Sequence, residues 1–290
     1  MANEKYEPVS GKTDARTFIT RGEETIRVIR DRILPTFPQP NLLLVGLGLD
    51  SDVMHCCYIP YKIAGFLEGK NVSYRMTMVD ADPRVTADVL ARKKLYMFND
   101  DGDPEFPEQG LKRWREYLQN TQQLERFVEP NEVVDDLKFY PHIGETDLRK
   151  DYIEFYKIFV AAVPQSFLCG LDEGTIQVIN NDIVVAGLPD KMEPEQQYHF
   201  CDMLNVFYLL SSLGQQLALE NISRSLVKGG SILFDDGERR NIEPDTPLLK
   251  EFGGWLGRFR LRQLGLKLEV LEQTKQDFFG RNMVGLLHKL

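Results

Sequence analysis

The sequence predicts an α/β protein with a mostly parallel sheet, an antiparallel hairpin at its C-terminal end and a helical insertion. Residues 41–45 form an apolar run without polar alternation, typical of a central parallel strand buried on both faces. The turn Gly46-Leu47-Gly48 follows, and a second apolar run at 76–79 ends in acids. Residues 267–271 and 282–287 predict two strands joined by a short connection, which is the expected hairpin.

Composition limits the classes of protein to which the chain can belong. Its 290 residues fit one large domain, or one domain with a sizeable insertion. The net charge of -9 argues against a general binder of nucleic acid or of anionic membranes, which would need a basic surface. No apolar run reaches the roughly 18 residues that span a bilayer. Four cysteines do not form a disulfide framework, and the first residues lack a secretory apolar region, so we expect a cytoplasmic protein.

The N-terminal part is predicted to be a polar tail followed by one helix. Residues 1–15 are polar, and apolar residues with helical spacing predict a helix over 22–34. Pro35, Pro38 and Pro40 then end the helix and lead into the first strand. We therefore separate a tail and entry helix, residues 1–40, from a main domain, residues 41–290.

The first part of the main domain is predicted to alternate strands and helices. A crossover helix is expected over 52–67, with a kink or division at Pro60, because proline removes a helical hydrogen bond. A strand at 73–79 and a helix at 85–96 follow. Residues 99–175 show no clear alternation, although helices are indicated at 111–128 and 151–163, and we interpret 99–175 as a helical insertion or lid.

The alternation resumes after the insertion. A glycine stop at 228–230 is expected to close the helix before the fifth strand. The remaining predicted elements are strands at 175–179, 198–204 and 231–234 and helices at 217–226 and 248–264.

Polar residues and glycines at the strand ends indicate a binding site. Gly46 and Gly48 would permit a ligand to approach the backbone closely. Asp80 and Asp82 end the second strand, where a carboxylate can accept both hydroxyls of a ribose. Ser51 takes the place of the third glycine of the dinucleotide-binding pattern. A nucleoside-type ligand is thus predicted, with a purely structural turn as the alternative.

Several segments resemble a known enzyme family. Residues 226–234 (LVKGGSILF) are similar to S-adenosylmethionine-dependent methyltransferases, many of which have a helix, a Lys-x-Gly-Gly turn and a strand there. More narrowly, the chain resembles the CheR-type methyltransferases of chemotaxis receptors. The similar segments are 17–21 (TFITR), 59–64 (IPYKIA), 80–82 (DAD) and 205–206 (NV), in the family's order. This resemblance implies a Rossmann-like methyltransferase fold and S-adenosylmethionine as cofactor.

The resemblance also implies roles for individual residues. Gly46 and Gly48 would allow the cofactor to pass close to the backbone. Asp80 would bind the ribose of the cofactor, with Asp82 beside it. Either Asn181 or Asp182 would hold the adenine amino group. Asp50, Asp52 or Arg21 would contact the methionine end, and Arg21 could instead neutralise a substrate carboxylate. Asn205 and Tyr208 would lie near the methyl acceptor. The catalytic candidates, which have surface or packing roles as alternatives, are Arg21, Asn205 and Tyr208.

The chain departs from the family pattern at polar positions. The family's glutamate before Pro-Tyr is Ile59 here, and its arginine before Asn-Val is Leu204. Methylation of receptor glutamates is therefore not expected, and the acceptor, a small molecule or a protein, is unidentified. One alternative is a catalytically silent relative that acts through the insertion and the 248–264 helix. Another is a nicotinamide-dependent reductase, which the incomplete glycine pattern and the antiparallel ending disfavour.

A metal site is the last alternative. His55, Cys56 and Cys57, with His199 and Cys201, could supply nitrogen and sulfur ligands for zinc. Their spacing matches no familiar zinc pattern, and buried cysteines often act as small apolar residues. We therefore predict no metal, no nucleic-acid partner and no membrane partner, and leave a homodimer open.

Overall fold

A computed structural model describes residues 22–47, 58–95, 107–124, 165–185, 196–204, 206–207, 210–235, 255–271 and 284–290. Seven strands form one sheet. They are β1 (Asn41–Val45), β2 (Arg75–Asp80), β3 (Ile176–Asn180), β4 (Tyr198–Met203), β5 (Leu226–Asp235), β6 (Leu266–Leu271) and β7 (Val284–Lys289). The described helices are α1 (Glu23–Val28), α2 (Tyr58–Gly69), α3 (Pro83–Leu95), α4 (Pro107–Asn120), α5 (Gln165–Glu173), α6 (Ser212–Ser225) and α7 (Trp255–Gln263), and α1 continues as a π-helix (Ile29–Ile33).

The strand order of the sheet is β3-β2-β1-β4-β5-β7-β6. All pairings among strands β1 to β5 are parallel. Strand β7, in contrast, pairs antiparallel with both β5 and β6. The predicted fold class, a mostly parallel sheet with helices and a C-terminal antiparallel hairpin, is therefore confirmed. The hairpin lies with β7, the later strand, inside and β6 at the edge.

Strand β1 is buried along its whole length and divides the core into two layers. Leu42 and Leu44 enter one apolar cluster, which also contains buried residues of α1, α2, α3 and α5. Leu43 and Val45 enter the other, which includes residues of α6 and α7. Successive side chains of a strand point to opposite faces, so an uninterrupted apolar run is what a strand covered on both faces requires.

Most predicted elements are present, with ends that differ by a few residues. Helix α2 is continuous from Tyr58 through Pro60 to Gly69, so Pro60 does not divide it. The preceding part of the predicted helix, 52–57, lies outside the described residues.

The predicted glycine stop at 228–230 is wrong. Helix α6 ends at Ser225, and Leu226, with an extended backbone, already begins β5. Gly229 lies inside β5 with φ +83°, beside the register shift between β4 and β5. A Cβ on Gly230 would lie 3.1 Å from the His199 carbonyl oxygen. The two glycines therefore allow β5 to bulge and to approach β4 closely, rather than to end a helix.

The described parts of the predicted insertion pack against the main domain. In α4, Trp114 and Leu118 are buried, and the Tyr117 hydroxyl donates to Asp88 Oδ1 in α3 at 3.3 Å. In α5, Phe167 contacts the Tyr61 ring of α2 edge-on, with centroids 4.5 Å apart. The helix predicted at 151–163 lies outside the described residues, and the boundaries 1–40, 41–290 and 99–175 stay predictions.

Among the helices that the structure describes, none is long and apolar enough to cross a lipid bilayer.

Candidate functional site

The chain reverses direction across the sheet at β1. From β1 it proceeds to β2 and β3 on one side, and it then returns to β4 on the other side. In open parallel sheets, ligands bind outside the carboxyl ends of the strands at such a reversal, because the connections diverge there and leave a crevice. The candidate site is therefore the edge where β1, β2, β3 and β4 end.

Gly46 follows β1 at this edge in a backbone conformation that favours glycine, with φ +70°. Its N–H donates to the Val79 carbonyl oxygen at 2.8 Å, which joins the ends of β1 and β2. A Cβ on Gly46 would lie 2.2 Å from Val206 Cγ2. The sequence suggested that a ligand approaches this glycine closely, and the contact present here is with the Val206 side chain.

Asp80 ends β2 and is almost completely buried, with 9% of its surface exposed. Its Oδ1 accepts a hydrogen bond from the Asp82 N–H at 2.8 Å, which fixes the direction of the carboxylate. Its carbonyl oxygen accepts from the Asn181 N–H at 2.9 Å. The Asn180 side chain donates to the carbonyl oxygens of Asp80 and Ala81. Asn180 thus holds the ends of β2 and β3 together. The only signal of this role in the sequence was the position of Asn180 directly before Asn181, at the end of a predicted strand.

Asp82 orders the start of α3. Its Oδ1 accepts from the Arg84 N–H at 2.9 Å, and its Oδ2 pairs with the Arg84 guanidinium at 2.6 Å. These contacts are typical of an acid before a helix, where the first backbone N–H groups lack helical partners. The structure thus gives the carboxylate of Asp82 a structural role at the start of α3, and its role beside a ribose stays a prediction.

Asn181 and Asp182 follow β3 at the same edge. The Asp182 Oδ1 accepts from the Val184 N–H at 2.8 Å, so this side chain closes a local turn. The carbonyl oxygen of Ile183, in the same turn, accepts from the Asn221 side chain of α6 at 2.6 Å. The structure therefore brings Gly46, Asp80, Asp82, Asn181 and Asp182 to one edge of the sheet.

Sequence reasoning missed a buried acid on β4. Asp202 is 5% exposed, and its Oδ2 accepts from the Thr25 hydroxyl of α1 at 2.5 Å. Its Oδ1 accepts from the Leu204 N–H, just beyond the strand, at 2.8 Å. An acid inside an otherwise apolar strand was the available signal, because a buried carboxylate needs donors from elsewhere in the fold.

Six predicted site residues lie outside the residues that the structure describes. They are Arg21, Gly48, Asp50, Asp52, Asn205 and Tyr208. Their roles stay predictions.

The residues considered for zinc have other surroundings. The His199 Nδ1 accepts from the Asn41 N–H at 2.8 Å at the amino edge of the sheet, opposite the candidate site, and burial lowers the pKa of this imidazole. Cys201 is buried, and burial raises the pKa of its thiol. His55, Cys56 and Cys57 are outside the described residues, and within the described ones no group of three metal-ligating side chains occurs.

Comparisons with known proteins give structural similarities only. No family model matches the chain, and no curated protein matches its sequence. The N-methyltransferase NodS from Bradyrhizobium japonicum, in complex with S-adenosylhomocysteine, is 12% identical over 92% of this chain and 86% of its own, with a TM-score of 0.40. A TehB-like SAM-dependent methyltransferase from Corynebacterium glutamicum is 14% identical over 93% of this chain and 88% of its own, with a TM-score of 0.41.

Proposed function

We propose that this protein is a methyltransferase that uses S-adenosylmethionine, with the cofactor bound at the carboxyl ends of β1 to β4. The observation that supports this most is the position of Gly46 and Asp80 at the carboxyl ends of the paired strands β1 and β2, next to the reversal of the sheet. A nucleoside ligand at such an edge needs backbone that it can approach and an acid for its ribose. Asp80 supplies the acid, and we propose that the backbone at Gly46 and Gly48 is the part that the ligand approaches.

The chemistry of the polar groups fits an adenosyl ligand. An ionised carboxylate only accepts hydrogen bonds, and two vicinal ribose hydroxyls can both donate to one carboxylate. The Asp82 N–H holds the Asp80 carboxylate in one direction, so little freedom would be lost on binding. Asn181 and Asp182 end the neighbouring strand, where the adenine amino group of a ligand bound at Asp80 would lie. We assign the binding role to Gly46, Gly48, Asp50, Asp80, Asp82, Asn181 and Asp182.

The C-terminal strands favour this proposal over a nicotinamide-dependent reductase. Dinucleotide-binding sheets of the doubly wound kind have the strand order 3-2-1-4-5-6. Here β7 is inserted antiparallel between β5 and β6. This arrangement, together with Ser51 in place of the third glycine, supports an adenosyl cofactor rather than a dinucleotide.

S-Adenosylmethionine supplies an activated methyl group, so the protein has mainly to align the acceptor and exclude other reactions. Alignment alone can supply several kcal/mol of a reaction barrier. We propose that Asn205 and Tyr208, which follow β4, orient the acceptor, and that Arg21 neutralises a carboxylate of cofactor or acceptor. The acceptor is a small molecule or a protein, and we propose a cytoplasmic location.

A distant relationship to the CheR-type enzymes is part of the proposal, but with a different acceptor. Ile59 lies in the first turn of α2, where that family has a glutamate. Leu204 replaces the family's arginine, and its N–H is used by Asp202. The site therefore lacks the polar groups that would position a receptor glutamate as the methyl acceptor.

Calorimetric titration with S-adenosylmethionine, S-adenosylhomocysteine and the nicotinamide dinucleotides tests the proposal. We expect both adenosyl compounds to bind and the dinucleotides not to bind. Absence of adenosyl binding at millimolar ligand would refute the proposal and leave the catalytically silent alternative, and binding of a dinucleotide alone would indicate the reductase.

Asp80→Asn tests the ribose contact. The amide preserves the shape of the side chain and an acceptor for the Asp82 N–H, but it replaces one acceptor of the ribose by a donor. We expect the affinity for S-adenosylhomocysteine to fall about tenfold, which corresponds to about 1.4 kcal/mol. Asp31→Asn, the same change at an exposed position of the π-helix, should leave the affinity unchanged. Equal affinities of the two variants would show that the ribose is bound elsewhere.

A further inference from the structure

A chain of contacts leads from helix α1 to the glycine turn of the candidate site. It begins at Thr25, whose side chain is fully buried and whose hydroxyl donates to Asp202 Oδ2 at 2.5 Å. The two residues are 177 positions apart in sequence. Both oxygens of the Asp202 carboxylate are engaged, because Oδ1 accepts from the Leu204 N–H.

The second step leads from Leu204 to Gly46. The Leu204 N–H fixes the direction in which the chain leaves β4, and two residues later the Val206 N–H donates to the Met203 carbonyl oxygen at 3.3 Å. This turn presents the Val206 side chain to Gly46, where a Cβ would lie only 2.2 Å from Val206 Cγ2. A displacement of the β4 exit would therefore move a side chain that is packed directly against the turn after β1.

The beginning of α1 also lies next to helix α2, which follows the glycine turn after β1 in the chain. Gly22 starts α1 with φ +88°, and a Cβ at this position would lie 3.7 Å from the Ile59 side chain and 3.6 Å from that of Lys62. Both residues belong to the first turns of α2, which follows the glycine turn in the chain. The first turn of α1 is thus held by a buried hydrogen bond to β4 and by packing against α2.

We propose that Thr25 and Asp202 are positioning residues for the cofactor site: their hydrogen bond fixes the β4 exit, and through Val206 it fixes the backbone at Gly46. This inference rests on the proposed function. It makes the N-terminal helix a part of the binding machinery and not only a cover for the sheet. The connection runs through the hydrogen bonds that the Thr25 hydroxyl and the Leu204 N–H donate to Asp202, and then through the packing of Val206 against Gly46.

Thr25→Val tests the inference, because valine has nearly the same shape as threonine but cannot donate to Asp202. We expect the affinity for S-adenosylhomocysteine, measured by calorimetry, to fall about fivefold, within the range reported for mutations that act through coupled residues. Thr25→Ser, which restores the hydroxyl, should bind almost as tightly as the wild type. Asp202→Asn should change the affinity in the same direction as Thr25→Val.

The matched control is Thr77→Val, which removes a different buried hydroxyl, one that lies on strand β2 and is hydrogen-bonded to Tyr198. Both valine variants should have lower melting temperatures, but only Thr25→Val should lose affinity. If the two variants bind equally well, the Thr25–Asp202 pair has only a structural role and the inference is wrong. If the wild type itself does not bind S-adenosylhomocysteine, the proposed function is wrong, and the inference, which rests on it, is wrong as well. This outcome differs from the previous one, in which the wild type binds and only the difference between the variants is missing.

Discussion

At the scale of single residues, Gly46 shows how close packing and backbone conformation act together. With φ +70° it adopts a conformation that costs other residues about 1–2 kcal/mol. The space where its Cβ would lie is already filled by Val206. A glycine is therefore required here for the fold itself, whatever ligand lies beyond the turn.

Gly46→Ala should lower the free energy of unfolding by about 2–4 kcal/mol, since the strained backbone and the overpacking against Val206 both contribute. Urea denaturation measures this change. Gly65→Ala provides the matched control, because a Cβ on Gly65 in α2 meets nothing within 4 Å. Alanine in a helix interior should stabilise the protein there by about 0.5–1 kcal/mol. A Gly46→Ala variant as stable as the wild type would show that the β4 exit can move away without cost.

The sequence predicted which site residues lie close together only for residues at the ends of strands. Asp80 and Asn181 follow apolar runs, and parallel strands bring their carboxyl ends to one edge, so their proximity could be inferred. The hydrogen bond between Thr25 and Asp202 could not be inferred, because nothing in either segment specifies which helix covers β4. Long-range pairs of this kind are set by packing, not by local pattern.

At the scale of elements, apolar runs and turn residues predicted the strands well, and the glycines at 229–230 did not behave as expected. A Gly-Gly pair after a helical stretch commonly closes the helix. Here α6 ends earlier, at Ser225, and the glycines allow a bulge between β5 and β4. The bulge depends on the neighbouring strand, which a local pattern cannot indicate.

The amino edge of β1 and β4 depends on a neutral histidine. The His199 Nδ1 accepts from the Asn41 N–H, and the imidazole stacks on the Phe37 ring, with centroids 4.3 Å apart. Burial lowers the pKa of His199 below its ordinary value of 6.5. The unfolded chain therefore takes up a proton at this residue at a higher pH than the folded protein does.

The wild type should consequently lose stability as the pH falls below 6.5, because the unfolded state then binds more protons. Above that pH, His199 is neutral in both states and contributes no pH dependence. In His199→Asn, the side-chain oxygen can replace Nδ1 as acceptor but does not titrate. Urea unfolding of both proteins between pH 8 and pH 5 should show a larger loss of unfolding free energy for the wild type than for the variant. Parallel pH profiles would exclude this role of His199.

At the scale of the whole molecule, the helices before and after the middle of the predicted insertion belong to the main structure. The residues of α5 enter the same apolar cluster as α1 and α2, and α4 packs against α3 through Tyr117. The lack of alternation between 99 and 175 predicted a helical insertion or lid, and this division of the chain stays a prediction. Sequence pattern does not reveal where an intervening helix packs. Shared burial instead favours one cooperative unit.

Unfolding should therefore be a single transition that includes α4. The protein has two tryptophans, so Trp255→Phe leaves Trp114, which is 4% exposed and stacks on Tyr117, as the only tryptophan, and excitation at a wavelength where tyrosine hardly absorbs reports on it alone. Its fluorescence and the far-UV circular dichroism should change at the same urea concentration, as two-state unfolding requires. Saturating S-adenosylhomocysteine, at a hundred times its Kd, should shift both curves equally and add about 2.7 kcal/mol. A fluorescence transition that precedes the dichroism change and ignores the ligand would instead make α4 part of a separately unfolding insertion.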